Sequence, residues 1–529
     1  MIDKRAAWAR IVAAVWLAAC AGLALAQVKL TPQEEAGKRI YLEGVSPSGT
    51  PIQAMVGQQG TSMEGSALPC VNCHGADGTG RPEGAVKPSN VVWRELAKSY
   101  GHRHENGREH GPFDEQKFVE LLTYGTDPAG NKVDPTMPRY IMSHKDMADL
   151  VAYLKRIDVD LDPGIGAAKL RIGTLLPTKG RLGELGQAMS GILASQVEEM
   201  NAAGGLFGRK IELVPAEFSD DRAATLANLN KLLREQEVFA VVSPFTVGLE
   251  ADVSAVAEKE RVPMVGPFTL FPDSTLAVNR YTFYLLSGLR EQGRALAKFA
   301  TGSLKLANPE VGLVYPESAG YKEVVEAAEE MLKEGGWTRV HRAGYAQGQP
   351  PSGKLVADLQ QKGVQAIFFF GNEAELAAFG KLVRDAIWSP YLLALGPKVA
   401  RAALDLPTTF GDRVYLAYPT LPEDVSPAGA AALSGLQRKG KLTNRHQPAQ
   451  ISAYASILVL EEGVKRAGRD LSRAKFVGSL ENLFSFESGV TPSISYGPNR
   501  RIGALGAHIV SVDLGARRFK PTGQFVRLD

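Results

Sequence analysis

The sequence predicts a multidomain chain in which a small all-α domain is followed by a larger, two-lobed α/β domain. Three observations predict it. Between residues 27 and 160 the apolar residues recur at helical spacing on both sides of the stretch "LPCVNCHGADGTG" at 68–80. At 158–169, "DVDLDPGIGAAK" combines aspartates, Pro163 and a run of small residues, the composition of a linker. From residue 170 onward, short apolar runs alternate with amphipathic stretches, the pattern of helices connecting parallel strands. The boundaries that follow are 1–26 for an export signal, 27–160 for the helical domain, 161–168 for the linker and 169–529 for the α/β domain.

A chain of 529 residues is too long for one ordinary core. Its composition, 44% hydrophobic and 22% charged, is that of a soluble globular protein. The formal charge of +3 arises from 60 basic and 57 acidic residues, so no basic footprint for nucleic acid exists. Like-charge runs, low-complexity tracts and short tandem repeats are absent from the sequence.

The first 26 residues read as an export signal. Lys4, Arg5 and Arg10 form a basic start, Ile11–Ala26 is an uncharged apolar run, and "ALA" at 24–26 offers a cleavage site before Gln27. Cleavage removes three basic residues and one acidic one, leaving a net charge of +1. The apolar run is short for a membrane anchor, which needs about 20 residues. A competing signal is "LAAC" at 17–20, which resembles a bacterial lipobox with Cys20 as the lipidated residue. Either route places the body of the protein in the periplasm.

The chain has three cysteines, and two of them lie in "CVNCH" at 70–74. C-x-x-C-H admits a redox dithiol, half of a zinc site or a covalent haem attachment. The dithiol needs a βαβ context that Cys70 lacks. Zinc would need further ligands, for which His102, His104 and His110 in "YGHRHENGREHG" are the candidates. The histidine directly after the second cysteine favours haem. On a helical turn Cys70 and Cys73 face one side and can form thioethers with the two porphyrin vinyl groups, while His74 points at the iron. One covalent haem c is therefore expected.

The second axial ligand is expected from "DPTMPRY", in which Met137 follows His74 by 63 residues and Pro138 stiffens the loop. Met142 is the alternative sulfur ligand, and Met147 fits core packing. "QEEAGKRIYLEG" and "DMADLVAYLKRI" supply the flanking helices. On these residues the stretch from 27 to 160 resembles a class I cytochrome c domain. The resemblance implies a six-coordinate His/Met iron with no open position, suited to electron transfer rather than catalysis. The His102–His110 stretch departs from the simplest cytochrome pattern. It reads as a solvated loop, with a second metal or a redox-linked ligand exchange as the alternative.

In the α/β part, "LRIGTLLP", "KIELVPAEF", "VFAVVSPFT", "VPMVGPFT", "EVGLVYPES" and "VQAIFFFGNE" are strands, and the stretches between them are helices. "IGTLLPTKGRLGELGQAMSGILASQVEEMNAAGGLFGRKIELV" resembles the opening of the type I periplasmic binding proteins of the branched-chain amino-acid family. "SISYGPNRRIGALGAHIVSVDL" resembles that family's C-terminal hairpin. The resemblance implies two Rossmann-like lobes joined by three crossovers, closing by hinge motion on a ligand between them.

Ligands in open α/β sheets bind beyond the carboxyl ends of the strands. Two such ends carry one tripeptide, Pro244-Phe245-Thr246 and Pro267-Phe268-Thr269. Each offers a hydroxyl, backbone N–H groups near a helix start and an aromatic ring, a set that suits a carboxylate. Interlobe packing is the competing role for the two phenylalanines. Tyr315, Tyr321, Asn372 and Glu373 occupy equivalent strand ends in the second lobe, where Glu373 could meet an ammonium group. No G-x-S-x-G, Walker A or H-E-x-x-H motif supports catalysis. The sequence thus points to an exported haem protein that binds a small, carboxylate-bearing ligand and carries or senses electrons. The alternative is an electron-transfer subunit of a periplasmic dehydrogenase that uses the binding fold as a docking platform. The partners expected are the small ligand and either a periplasmic redox protein or an ABC permease.

Overall fold

The computed structural model describes residues 30–57, 59–80, 87–104, 106–273 and 279–528. The export signal, the Ala26 cleavage point and Cys20 lie outside the described residues. No helix among the described residues is long and apolar enough to cross a membrane. The chain divides into two compact units. The first runs through Leu170 and includes Arg469–Phe476; the second comprises Arg171–Gly468 and Val477 onward. The composition around 161–168 gives no hint that Arg469–Phe476 groups with the first unit.

In the first unit, helix α1 (Pro32–Glu43) starts at Thr31, whose side chain accepts from the Glu34 N–H while the Glu34 carboxylate accepts from the Thr31 N–H. Gly44, at φ 67°, ends it. Two short strands follow, β1 (Gln53–Val56) and β2 (Thr61–Glu64). Helix α2 (Val71–His74) carries the C-x-x-C-H motif, and α3 (Trp93–Leu96) leads into the hairpin of β3 (His102–Arg103) and β4 (Glu109–His110). Helix α4 (Glu115–Tyr124), strand β5 (Arg139–Ile141) and helix α5 (His144–Leu154) complete the unit. The helical domain expected from the sequence thus also holds a three-stranded antiparallel sheet in the order β2-β1-β5 and the β3–β4 ribbon. These strands run two to four residues, too short for alternation to register in the sequence.

Helices α1 and α5 bury one continuous face: Ile40 and Tyr41 from the first, Met147, Leu150, Val151 and Leu154 from the second. The Tyr41 and Tyr153 rings lie 5.7 Å apart. Gly37 permits this approach, because a Cβ there would stand 1.9 Å from the Asp149 carbonyl oxygen. Met147 is 5% exposed, as core packing requires.

The second unit contains two sheets. The first lobe is built from β6 (Lys169–Pro177), α6 (Gly183–Ala202), β7 (Lys210–Phe218), α7 (Arg222–Arg234), β8 (Ala240–Val242), α8 (Glu250–Glu260), β9 (Met264–Val265) and β10 (Thr282–Leu286). The chain then enters the second lobe with α9 (Leu289–Ser303), β11 (Val311–Pro316), α10 (Ala319–Glu334), β12 (Val340–Tyr345), α11 (Gly353–Gln361), β13 (Ala366–Phe369), α12 (Glu373–Asp385), β14 (Tyr391–Leu395), α13 (Gly396–Leu404) and β15 (Val414–Tyr418). Helices α14 (Pro427–Lys439) and α15 (Gln447–Ala467) follow, α15 packing against α6 of the first lobe, and then α16 (Arg473–Glu481). Strand β16 (Ile502–Ala504) joins the first sheet, whereas β17 (Gly506–Asp513) and β18 (Arg518–Arg527) join the second. The sheet orders are β16-β10-β9-β8-β6-β7 and β12-β11-β13-β14-β15-β17-β18. The lobe strands are parallel except for β17 and β18. The C-terminal hairpin is formed by β17 and β18; the "SISYGPNRRIGALGAHIVSVDL" stretch supplies β17 and, before it, β16 of the first sheet.

The crossovers are tied to one another. Ser287 Oγ donates to the Ala504 carbonyl at 3.1 Å and accepts from the Gly506 N–H at 2.9 Å. His508 Nε2 meets Asp424 Oδ1 at 2.9 Å, so the second crossover is joined to the third.

Replacing Gly37 by Ala puts a methyl group into the α1–α5 crossing. The substitution should destabilise the first unit by roughly 1–3 kcal/mol through overpacking. Thermal unfolding followed at the haem absorption should show a lowered midpoint with the second unit's transition unchanged.

Candidate functional site: a haem-attachment helix and a strand-end ligand site

The haem motif is built on one turn of helix. Cys70 caps α2, the His74 N–H donates to the Cys70 carbonyl at 2.9 Å, and Gly75, at φ 75°, ends the turn. The two cysteines are not joined by a disulfide. Burial pushes the Cys70 thiol up to about 12, so it stays protonated at neutral pH. His74 Nδ1 lies 2.8 Å from the Ser89 carbonyl oxygen. A carbonyl only accepts, so Nδ1 carries the proton and Nε2 keeps its lone pair. Burial lowers the pKa of His74, with the Ser89 bond acting against it. The imidazole is therefore neutral, held by its outer nitrogen and ready to bind a metal by the inner one.

The surroundings fix this helix from two sides. The Tyr41 hydroxyl donates to the Gly75 carbonyl at 2.6 Å, which ties α1 to the end of the turn. The Tyr140 hydroxyl donates to the Leu68 carbonyl at 2.7 Å, which ties the Met137 loop to its start. Met137 is half-buried and packs on the same core as Cys70, Val71 and Trp93, as does Met142. Its loop is held by the Met137 N–H on the Asp134 carbonyl at 3.1 Å and by Arg139 Nη1 on the Met137 carbonyl at 2.5 Å. Two thiols one turn apart, a neutral histidine with a fixed tautomer and a thioether in the same core fit a covalent haem. Ser89, Tyr41 and Tyr140 could not be singled out in the sequence, because a backbone carbonyl 15 residues from its partner leaves no pattern.

In the second unit, Pro244-Phe245-Thr246 and Pro267-Phe268-Thr269 follow β8 and β9 as expected. Each tripeptide is preceded by a residue in the left-handed region, Ser243 at φ 49° and Gly266 at φ 66°. At Gly266 a Cβ would stand 2.0 Å from Ser456 Oγ, so only glycine fits. At Ser243 the same turn is made by a residue with a side chain, a conformation that costs roughly 1–3 kcal/mol. The backbone N–H groups expected to be available are largely committed. Phe245 donates to Leu175, Thr246 to Phe268 and Phe268 to Pro244, because a parallel bridge joins the two loops.

The side chains divide into two sets. Thr269 Oγ1 donates to Glu250 Oε1 at 2.6 Å and accepts from the Phe271 N–H at 3.0 Å, so its hydroxyl is satisfied within its own lobe. The hydroxyls of Thr246 and Ser243, 2% and 0% exposed, have no hydrogen-bond partner. The Phe245 and Phe268 rings stack at 6.0 Å, and Phe218 meets Phe245 edge-on at 4.8 Å. In the second lobe, Tyr315 is buried at the end of β11. Tyr321 meets Phe271 edge-on at 6.2 Å, and burial pushes its phenol up to about 12. Glu373 is exposed and accepts the Arg401 N–H at 3.1 Å. The buried acid at that strand end is Glu375, which takes bonds from the Tyr345 hydroxyl at 2.9 Å and the Asn372 N–H at 2.8 Å. The run "NEAE" is the capping-box signal that could have pointed to Glu375.

Fold and sites together define a two-lobed binding protein that carries a c-type haem domain. The chain belongs to the periplasmic binding protein family, whose model matches residues 169–515, and residues 64–158 match the cytochrome c model. It is 25% identical over 328 residues to Leu/Ile/Val-binding protein homolog 3 of Brucella melitensis, covering 61% of this chain and 86% of that protein. Identity to the Leu/Ile/Val-binding protein BraC3 of Rhizobium johnstonii is also 25%, over 57% of this chain and 80% of the relative. Among solved structures, a putative branched-chain amino acid ABC transporter from Rhodospirillum rubrum shares the fold, with a TM-score of 0.55 and 17% identity over 67% of this chain and 99% of the other.

Met137 and Tyr140 can be tested together. Met137→Ala should abolish the weak sulfur–iron band at the red end of the ferric spectrum. Tyr140→Phe, which only unties the loop from Leu68, should weaken that band and leave the haem covalently attached. A Met137→Ala spectrum identical to the wild type would assign the ligand to Met142 instead.

Proposed function

We propose that the protein is an exported haem c protein that binds a small carboxylate-bearing ligand, of the aliphatic amino-acid class, between its α/β lobes. Its haem then reports or passes electrons in step with that binding. The observation that carries the ligand part is the pair of buried, unpartnered hydroxyls of Ser243 and Thr246. A buried hydroxyl left unmade costs about 1–3 kcal/mol, and a ligand oxygen would remove that cost. The stacked Phe245 and Phe268 give an apolar wall beside them, consistent with a ligand that is charged at one end and aliphatic at the other. Thr269 orients Glu250, and Tyr315, Tyr321 and Glu373 belong to the opposing lobe. The names of the relatives point to leucine, isoleucine and valine as the first ligands to try.

The haem part rests on residues that fit one covalent group. Cys70 and Cys73 would hold it through thioethers, and His74 and Met137 would be its axial ligands. When bound, such a group supplies a one-electron couple that a methionine ligand raises in potential. The protein's own contribution is to fix the His74 tautomer through Ser89, to bury the ligand helix under Tyr41 and to hold the Met137 loop by Arg139 and Tyr140. The periplasm is the compartment this function requires, and an ABC permease or a periplasmic redox protein is the partner.

A thermal-shift screen of the haem-loaded chain against aliphatic amino acids tests the ligand. A ligand at 100 times its dissociation constant should stabilise the protein by about 2.7 kcal/mol. Titration of the haem potential with and without that ligand tests the link. A coupling of ~1–3 kcal/mol would move the potential by about 40–130 mV for one electron. Equal potentials would mean that the two sites work independently and would remove the sensing role.

A further inference from the structure

The three histidines at 102–110, expected as a solvated loop, flank and connect a short antiparallel ribbon, with His102 exposed and His104 and His110 partly buried. His102 and His110 pair directly across the β3–β4 ribbon, His104 lies in the connection between the two strands, and the ring centroids are 4.5 Å apart for His102–His104, 5.1 Å for His104–His110 and 6.2 Å for His102–His110. His104 Nε2 and His110 Nε2 approach to 3.0 Å.

The hydrogen bonds around that contact fix both tautomers. His110 Nδ1 lies 2.7 Å from the Gly111 carbonyl, so Nδ1 carries the proton and Nε2 of the neutral ring is a lone pair. Arg108 Nη2 lies 2.8 Å from His104 Nε2, and a guanidinium only donates, so that nitrogen is a lone pair as well. With both rings neutral, two acceptors face each other at hydrogen-bond distance. A proton or a metal cation between the two nitrogens would relieve the contact. Arg108 is not the whole answer: its Nη2 meets the His104 lone pair and its Nη1 the buried Asp127 carboxylate at 2.8 Å, which leaves the His110 Nε2 lone pair to be met.

We propose that His104 and His110 form a two-imidazole site for a divalent transition metal of the copper(II) type. Two donors 3.0 Å apart, each about 2.0–2.1 Å from an ion, subtend close to 90° at it. That angle suits the tetragonal geometry of copper(II) or nickel(II) better than the wider tetrahedral angle of zinc. An open cavity of about 680 Å³, lined by Tyr100, His102 and His110 among others, reaches the His110 side of the pair. Among the described residues no group of three or more His, Cys, Asp or Glu side chains converges on one point. Water fills the remaining positions, with the exposed His102 ring nearest at hand. Binding displaces the Arg108 Nη2 bond to His104 and leaves the Arg108–Asp127 pair in place.

The test uses the full-length, haem-loaded ferric protein, whose cysteines are blocked as thioethers. Equilibrium dialysis against copper(II), with metals counted against haem iron, should give one copper per haem. His104→Gln and His110→Gln should each weaken binding by at least roughly tenfold, the size that even outer-shell changes reach at metal sites. Electron paramagnetic resonance of the copper should show nitrogen coupling from two imidazoles in the wild type and from one in each variant. The haem spectrum of both variants should be unchanged, which separates site loss from misfolding. No copper above the haem iron, or the same uptake and nitrogen coupling after both substitutions, would overturn the proposal and leave a shared proton as the cation between the rings.

Discussion

A polar atom taken out of water must find a partner, and this requirement decides the placement of each chemically active residue in the chain. An unmet buried donor or acceptor costs about as much as a sizeable fraction of a domain's whole stability. In the haem unit the requirement is met at His74 by the Ser89 carbonyl, and the same bond that satisfies Nδ1 aims Nε2 inward. In the binding unit it is met at Thr269 by Glu250 and at Glu375 by Tyr345 and Asn372. At Ser243 and Thr246 it is not met within the protein. The contrast between Thr246 and Thr269, two threonines in the same tripeptide, separates a group that positions from a group that waits.

The same requirement shapes the hinge. Three strands of chain pass between the lobes, and their exposed backbone would be poorly satisfied if each ran alone. Ser287, on the first, accepts from Gly506 and donates to Ala504, both on the last. His508 and Asp424 join the remaining one to the bundle, with the Asp424 carboxyl held below its ordinary range by His508 and by the Leu421 N–H against the effect of its own burial. The crossovers are therefore linked to one another by side chains rather than running independently.

Much of this architecture is legible in the sequence, because it rests on periodicity and on short motifs. C-x-x-C-H names its own chemistry. The repeated P-F-T marks two adjacent strand ends, which the structure joins by a bridge between Phe245 and Phe268. The tripeptide alone does not distinguish the two hydroxyls, since Glu250 lies 19 residues from Thr269 and no local pattern connects them. Glu373 drew notice as the first acid after the strand, yet it is Glu375, two residues on, that the helix cap turns inward. The histidine run read as a loop because a two-residue strand has no alternation to detect. Its cross-strand pairing brings together three rings that the sequence shows only as spacing.

The central claim is that the unpartnered Thr246 hydroxyl is completed by a ligand. It is tested most directly by comparing the thermal stabilisation that leucine, isoleucine or valine gives the wild type with that given to Thr246→Val, a variant of the same shape without the hydroxyl. The account predicts that the free variant is as stable as the wild type or more so, since the orphaned group is gone, and that ligand stabilisation is lost while the haem spectrum stays the same. A variant that binds the ligand as tightly as the wild type would contradict it.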